Sequence, residues 1–214
     1  MEDGTDATTA TDVRDTYDRI ADHFSSTRHH AWPETEEFCA THDGDRGIDI
    51  GCGNGRHTEV LCECVDHAVG LDVSPRLLDI AADRVPAAGF VTGDAARLPF
   101  AANQFDIAIY VATLHHLPTQ AMRRQSLAEL SRVLTEDGVA LISAWSTDAD
   151  RFDAGTGFDT FVDWTLPDGE TVDRFYHIYD QTEFETDLRS QLEIRRSWLS
   201  SGNCYGVVAP RRRS

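Results

Sequence analysis

The chain has no lysine: its 19 Lys-plus-Arg positions are all arginine. It also lacks a Cys-x-x-Cys pair, a long apolar run and a basic-then-apolar leader. Each absence excludes something. Without a run of about 18 apolar residues no membrane-spanning helix is expected. Without a leader the chain is expected to be cytoplasmic. Cys62-Glu63-Cys64 is too tight for a usual zinc knuckle, so no metal is expected. Five cysteines, an odd number, read as reduced and mostly buried thiols.

What is present is acid. Asp and Glu number 37, giving a formal net charge of -18 over 214 residues. A lysine-free acidic surface suits a salt-rich cytoplasm, where repulsion among carboxylates is screened over a few ångströms. The chain therefore reads as halophilic. Its length fits one large domain. The expected divisions are a disordered tail over 1–10 and an N-terminal helical cap over 11–45. The main domain runs over 46–210, with an acceptor-side insertion at 146–180, and a basic tail covers 211–214.

Periodicity orders the elements. Val13, Tyr17, Ile20 and Phe24 share one helical face, and Pro33 opens a second helix with Phe38 inward. Strands are expected at Ile48–Ile50, His67–Asp72, Phe90–Val91, Phe105–Val111 and Val139–Trp145. Helices are expected over Arg56–Cys64, Arg76–Arg84 and Gln120–Leu134. Ser74-Pro75 is an N-cap followed by proline at the first helical position. Strands alternating with helices imply a parallel sheet covered on both faces. Ser146 to Val172 reads as irregular. A helix over Thr182–Arg189 and two closing strands, Glu193–Leu199 and Cys204–Ala209, complete the chain.

Asp49-Ile50-Gly51-Cys52-Gly53-Asn54-Gly55 lies between a strand and a helix start. Glycines let the backbone turn tightly and a ligand approach, and the helix start offers free N–H groups. Asp49, Asp72 and Asp94 stand at successive strand ends. An acidic residue about twenty positions after the loop accepts ribose hydroxyls. Three carboxylates suit a nucleoside carrying a cation better than a pyrophosphate. The alternating glycines also depart from the G-x-G-x-x-G dinucleotide fingerprint, which disfavours a nicotinamide oxidoreductase.

Asp49-x-Gly51-x-Gly53-x-Gly55, Leu71-Asp72-Val73-Ser74, Gly93-Asp94-Ala95 with Leu98-Pro99-Phe100, and Phe105-Asp106 with His115-His116-Leu117 resemble the motifs of class I S-adenosylmethionine-dependent methyltransferases. The resemblance implies a doubly wound, Rossmann-like α/β fold. Its seven-stranded sheet would be mostly parallel, with a C-terminal antiparallel hairpin strand. It implies a site for S-adenosyl-L-methionine drawn from Tyr17, Asp49, Gly51, Cys52, Gly53, Asp72, Val73, Asp94, Ala95 and Val111. Asp106 is given a structural role.

The flanks carry a narrower likeness. Tyr17-Asp18-x-Ile20-Ala21-x-His23-Phe24-Ser25-x-Thr27-Arg28-His29, Arg123-Arg124, Arg174-Phe175-Tyr176-His177 and Gly202-Asn203-Cys204 resemble the tRNA wobble-uridine carboxymethyl methyltransferases, from about Val13 to Val208. That family esterifies the carboxylate of 5-carboxymethyluridine. The implied catalytic set is Arg28 and Arg174 as an anion clamp, with His116 beside them. One of His115 and His116 packs against the fold, and His116 is favoured to face the acceptor. His29, Tyr176, Asn203, Arg123 and Arg124 are implied on the substrate side. Tyr17 or Tyr176 would stack on cofactor or base. The implied partners are a tRNA anticodon loop and a small zinc-binding activator subunit docking at the third strand, Phe90 and Val91. Arg211-Arg212-Arg213 reads equally as a solvated tail or a tRNA contact. A small-molecule acceptor, or a non-catalytic cofactor-binding subunit, remains open as an alternative function.

The charge pattern carries its own test. Melting curves in about 0.1 M and about 2 M KCl should show a higher melting temperature at the higher salt, where screening is nearly complete. Equal stability in both would sink the salt-adapted reading.

Overall fold

The computed structural model describes residues 9–211. The expected tail falls outside them up to residue 8. At Thr9 the chain is already ordered by a capping box: Thr9 Oγ1 accepts the Asp12 N–H while the Asp12 carboxylate accepts the Thr9 N–H. Helix α1 therefore spans Ala10–Ser26 and begins three residues before the expected Val13. Helix α2 spans Pro33–Thr41, with proline in its first turn as expected.

The alternating region follows as β1 (Gly44–Ile50), α3 (Arg56–Leu61), β2 (Val65–Asp72), α4 (Pro75–Arg84), β3 (Gly89–Thr92) and β4 (Phe105–Tyr110). A single 3-10 turn, Leu114–His116, precedes α5 (Gln120–Val133) and β5 (Leu134–Trp145). The sheet order is β3-β2-β1-β4-β5-β9-β8, where β8 is Leu192–Ser200 and β9 is Asn203–Pro210. The first five strands run parallel; β9 enters antiparallel between β5 and β8. This is the expected architecture. Strand β3 is an edge, with Phe90 and Val91 half-buried.

Side-chain alternation along the central strands builds a core on each face. Ala108 and Tyr110 of β4 join Ile48, Ile142 and Phe184 on one side. Ile107 and Ile109 join Phe38, Leu61 and Leu141 on the other. Asp106 has the structural role expected of it. Its carboxylate accepts the Asp45 and Arg46 N–H groups and the Thr135 hydroxyl, tying three strands together at their entry.

The region expected to be irregular is the main correction. Phe158–Thr165 (β6) and Thr171–Ile178 (β7) form a two-stranded antiparallel ribbon apart from the main sheet. The ribbon turns at Pro167-Asp168-Gly169, where Gly169 adopts a left-handed φ of 89°. Pro-Asp-Gly between two alternating runs is a turn signature. The residues that carry it are acidic, which hid the alternation.

Arg123 and Arg124 are a second correction, since both are used inside the fold. Arg123 is buried, donates from Nη1 to the Leu117 carbonyl at 3.2 Å and lies over the Tyr179 ring. Arg124 donates from Nε at 2.8 Å to Asp187, which is fully buried on α6 (Gln181–Gln191). The Gln120 amide and Tyr179 hydroxyl reach the same carboxylate at 3.3 Å each. A buried carboxylate needs such partners, and their geometry pins α5 to α6. Asp187→Ala should therefore cost about 2–3 kcal/mol in urea unfolding, because it strands three donors. An unchanged urea midpoint would show the cluster to be dispensable.

Candidate active site

The β1–α3 loop is held from below by Asp72. One carboxylate oxygen accepts the Gly53 N–H at 2.8 Å and the other the Ser74 N–H at 2.9 Å. Gly51 and Gly53 both have positive φ, and a Cβ on Gly51 would collide with the Thr113 side chain. Helix α1 closes the other side. Asp18 accepts the Ser74 hydroxyl and the Arg76 N–H, and Asp22 pairs with Arg76, so α1 is clamped to the start of α4.

A cleft lies between α1 and the carboxyl ends of β1, β2, β3 and β4. Of the residues expected to hold the cofactor, Tyr17, Gly51, Gly53, Asp72, Val73, Asp94 and Ala95 line it. Asp49, Cys52 and Val111 do not. Asp49 is buried behind the loop, accepting the Thr58 hydroxyl at 2.7 Å, and burial pushes its carboxyl up to about 7. Cys52 and Val111 are buried beneath the wall. Phe24, Ala112, Thr113 and Pro118 take their place. The rule that ligands lie outside the strand ends points to Ala112 and Thr113, which follow β4.

The wall tests what can bind. Among the described residues no arginine lines the cleft; its charged groups are the carboxylates of Asp72 and Asp94. Burial pushes His116 down to about 4, so its imidazole is neutral at pH 7. Such a wall repels a pyrophosphate and accepts a nucleoside carrying a sulfonium and an ammonium, the charge pattern of S-adenosylmethionine.

A second cavity opens between α1 and β7 and shares Val13, Tyr17 and His116 with the cleft. His116 stands between the two. Its Nδ1 lies 2.9 Å from the Phe175 carbonyl, so Nδ1 carries the proton and donates. Its Nε2 then accepts the Tyr17 hydroxyl, also at 2.9 Å. His115 is the packed member of the pair: it is buried and its Nδ1 accepts the Trp145 N–H.

Arg174 lines the second cavity and is buried. Its Nη1 donates to the Tyr176 hydroxyl at 2.7 Å, while its Nε has no partner. It lies 4.7 Å from the Trp164 ring, and Arg28 lies 5.5 Å from that ring. Among the described residues neither arginine pairs with a carboxylate. Tyr176 is buried beside them, and burial raises its hydroxyl above the usual range against the opposing pull of Arg174, Arg28 and Arg151. Trp164 and Arg151 were not among the expected site residues. Arg28, His29, Tyr176 and Asn203 line neither cavity; Arg28 Nη1 donates to the Thr27 carbonyl and hydroxyl. The His29 carbonyl accepts from Arg84, and the Asn203 amide donates to the Ser201 carbonyl.

Known proteins match this arrangement. The family described as "Methyltransferase domain" covers residues 48–142. The tRNA (carboxymethyluridine(34)-5-O)-methyltransferase of Schizosaccharomyces pombe is 34% identical over 161 residues, spanning 72% of this chain and 68% of that protein. Coverage of such relatives falls to 21% for the Xenopus tropicalis protein, which is 43% identical over 138 residues. Among solved structures, a putative methyltransferase in complex with the Haloferax volcanii Trm112 methyltransferase activator shares the fold. Its TM-score is 0.69 at 18% identity, over 94% of this chain and 99% of that one. The chain belongs to the tRNA (carboxymethyluridine(34)-5-O)-methyltransferase family of S-adenosylmethionine-dependent methyltransferases.

Proposed function

We propose that this chain methylates the carboxylate of 5-carboxymethyluridine at the wobble position of tRNA. The observation that carries the proposal is Arg174. It is a buried guanidinium with an unpartnered Nε and, among the described residues, no salt bridge to a carboxylate, on the wall of a cavity that adjoins the cofactor cleft. In a chain of net charge -18, an arginine left free of carboxylates is a site kept for an incoming anion.

The residues suit a carboxylate acceptor. Its pKa near ~4 makes it a nucleophile at pH 7 without a base. S-adenosylmethionine supplies a methyl group on a sulfonium, and as the O–CH3 bond forms the C–S electron pair returns to sulfur, leaving a neutral thioether and an ester. The protein has no proton to remove, and a neutral His116 with both nitrogens engaged agrees with that. Its work is to orient the acceptor and exclude water. Arg174 and Arg28 orient the anion; His116 positions Tyr17 at the boundary between cleft and cavity.

We also infer that a small zinc-binding activator subunit adds strands beside β3. An open edge strand supports this, as does the fold shared with the activator-bound Haloferax volcanii complex. A small-molecule acceptor stays as the second reading because Asp12 and Asp173 line the second cavity and repel phosphates.

Mass spectrometry of tRNA nucleosides from cells with and without the protein separates these. Loss of the wobble-uridine methyl ester on deletion is expected; unchanged ester would remove tRNA as the acceptor. Arg174→Ala and Arg28→Ala should each lower turnover by about a hundredfold, the scale of a lost transition-state contact, with S-adenosylmethionine affinity intact. A matching loss of cofactor affinity would contradict the clamp.

A further inference from the structure

We propose that Phe161 is the stacking platform for the acceptor base, so that the cavity between α1 and the β6–β7 ribbon takes a flat ring bearing an anion. This rests on the tRNA function proposed above. Nothing in the methyltransferase motifs assigns the residue.

Phe161 is 58% exposed, the most exposed large hydrophobic side chain among the described residues. A lone exposed aromatic needs no explanation by itself. This one lines the cavity that also holds His116 and Arg174. Its backbone partner across the ribbon is Phe175, and the two rings meet edge-on at 5.8 Å and 78°. Phe175 is buried, so it steadies the Phe161 ring. The Phe175 carbonyl in turn accepts from His116, so the same strand residue that supports the aromatic ring also fixes the imidazole at the cofactor boundary.

The chemistry of the cavity is thus divided. Arg174 offers a buried cation for a carboxylate. Phe161 offers an apolar face for a planar ring, beside Val13 and Tyr17 on the helix side. Asp12 and Asp173 on the same wall oppose phosphates. In so acidic a chain, recognition of the acceptor cannot lean on phosphate attraction, and high salt weakens that attraction further. Stacking is insensitive to both, and unstacked loop bases are commonly held on aromatic side chains.

The test compares wild type, Phe161→Ala and Phe161→Trp in steady-state methylation of tRNA, alongside calorimetric binding of free 5-carboxymethyluridine nucleoside. Melting temperatures confirm that each variant is folded. Phe161→Ala should raise KM for tRNA and weaken nucleoside binding by about tenfold, the scale of one lost base–aromatic stack. Its KM for S-adenosylmethionine should not change, and Phe161→Trp should restore both acceptor values. Unchanged acceptor KM and nucleoside affinity in Phe161→Ala, with an active wild type, would overturn the stacking role and leave the function standing. A wild type inert on tRNA with the activator subunit present would overturn the function and the stacking role with it.

Discussion

The imidazole of His116 is bonded on both nitrogens, to the Tyr17 hydroxyl on α1 and to the Phe175 carbonyl on β7. Three stretches of chain far apart in sequence meet there: the N-terminal helix, the turn after β4 and the ribbon after β5. The bond pattern fixes one tautomer, and burial keeps the ring neutral. The cofactor cleft lies to one side of this ring and the acceptor cavity to the other. It works alongside other ties on α1: Asp18 and Asp22 hold the α4 end, and the Trp164 indole donating to His23 and the Arg19–Glu170 pair hold the ribbon.

Electrostatics divides along the same line. The cleft is acidic, through Asp72 and Asp94, and suits a cationic cofactor. The ribbon side carries arginine. Each of the four tryptophans has an arginine over its ring: Arg56 over Trp32, Arg151 over Trp145, Arg28 and Arg174 over Trp164, and Arg196 over Trp198. An aromatic face holds a guanidinium in place without neutralising it. In a chain with nearly twice as many carboxylates as arginines, this keeps a few cations available. Repulsion among them is felt: burial, with Arg28 next in effect, pushes Arg56 down to about 10.

Much of the scaffold is written locally and was therefore legible. The glycine loop, the Ser74-Pro75 helix start and the continuous apolar run of β4 each depend on neighbours within a turn or two. The third strand, Phe90-Val91, is singled out as a docking edge only through the family resemblance, and its edge position is set by the sheet order. The ribbon was missed although its parts were present. Phe158, Thr160, Val162 and Trp164 alternate with more exposed positions, and Pro167-Asp168-Gly169 marks the turn. Aspartates at Asp159 and Asp163 masked a strand that only half-buries one face.

The sequence by itself determined the loop, the strand order's raw material and the acidic ends that select a cationic nucleoside, because each is a property of residues adjacent in the chain. Tertiary structure alone decided which arginines are free. Arg124 and Arg174 are chemically the same group. Arg124 faces Asp187, brought to it by the packing of α6 on α5. Arg174 faces an aromatic ring and a tyrosine hydroxyl, brought to it by the ribbon. Likewise Asp49 and Asp72 stand at equivalent strand ends, yet only Asp72 reaches the cleft while Asp49 is sealed behind the loop against Thr58. A side chain's charge is carried by its own atoms, but its role is set by what stands across from it, and contacts across many tens of residues arise only when the chain is packed.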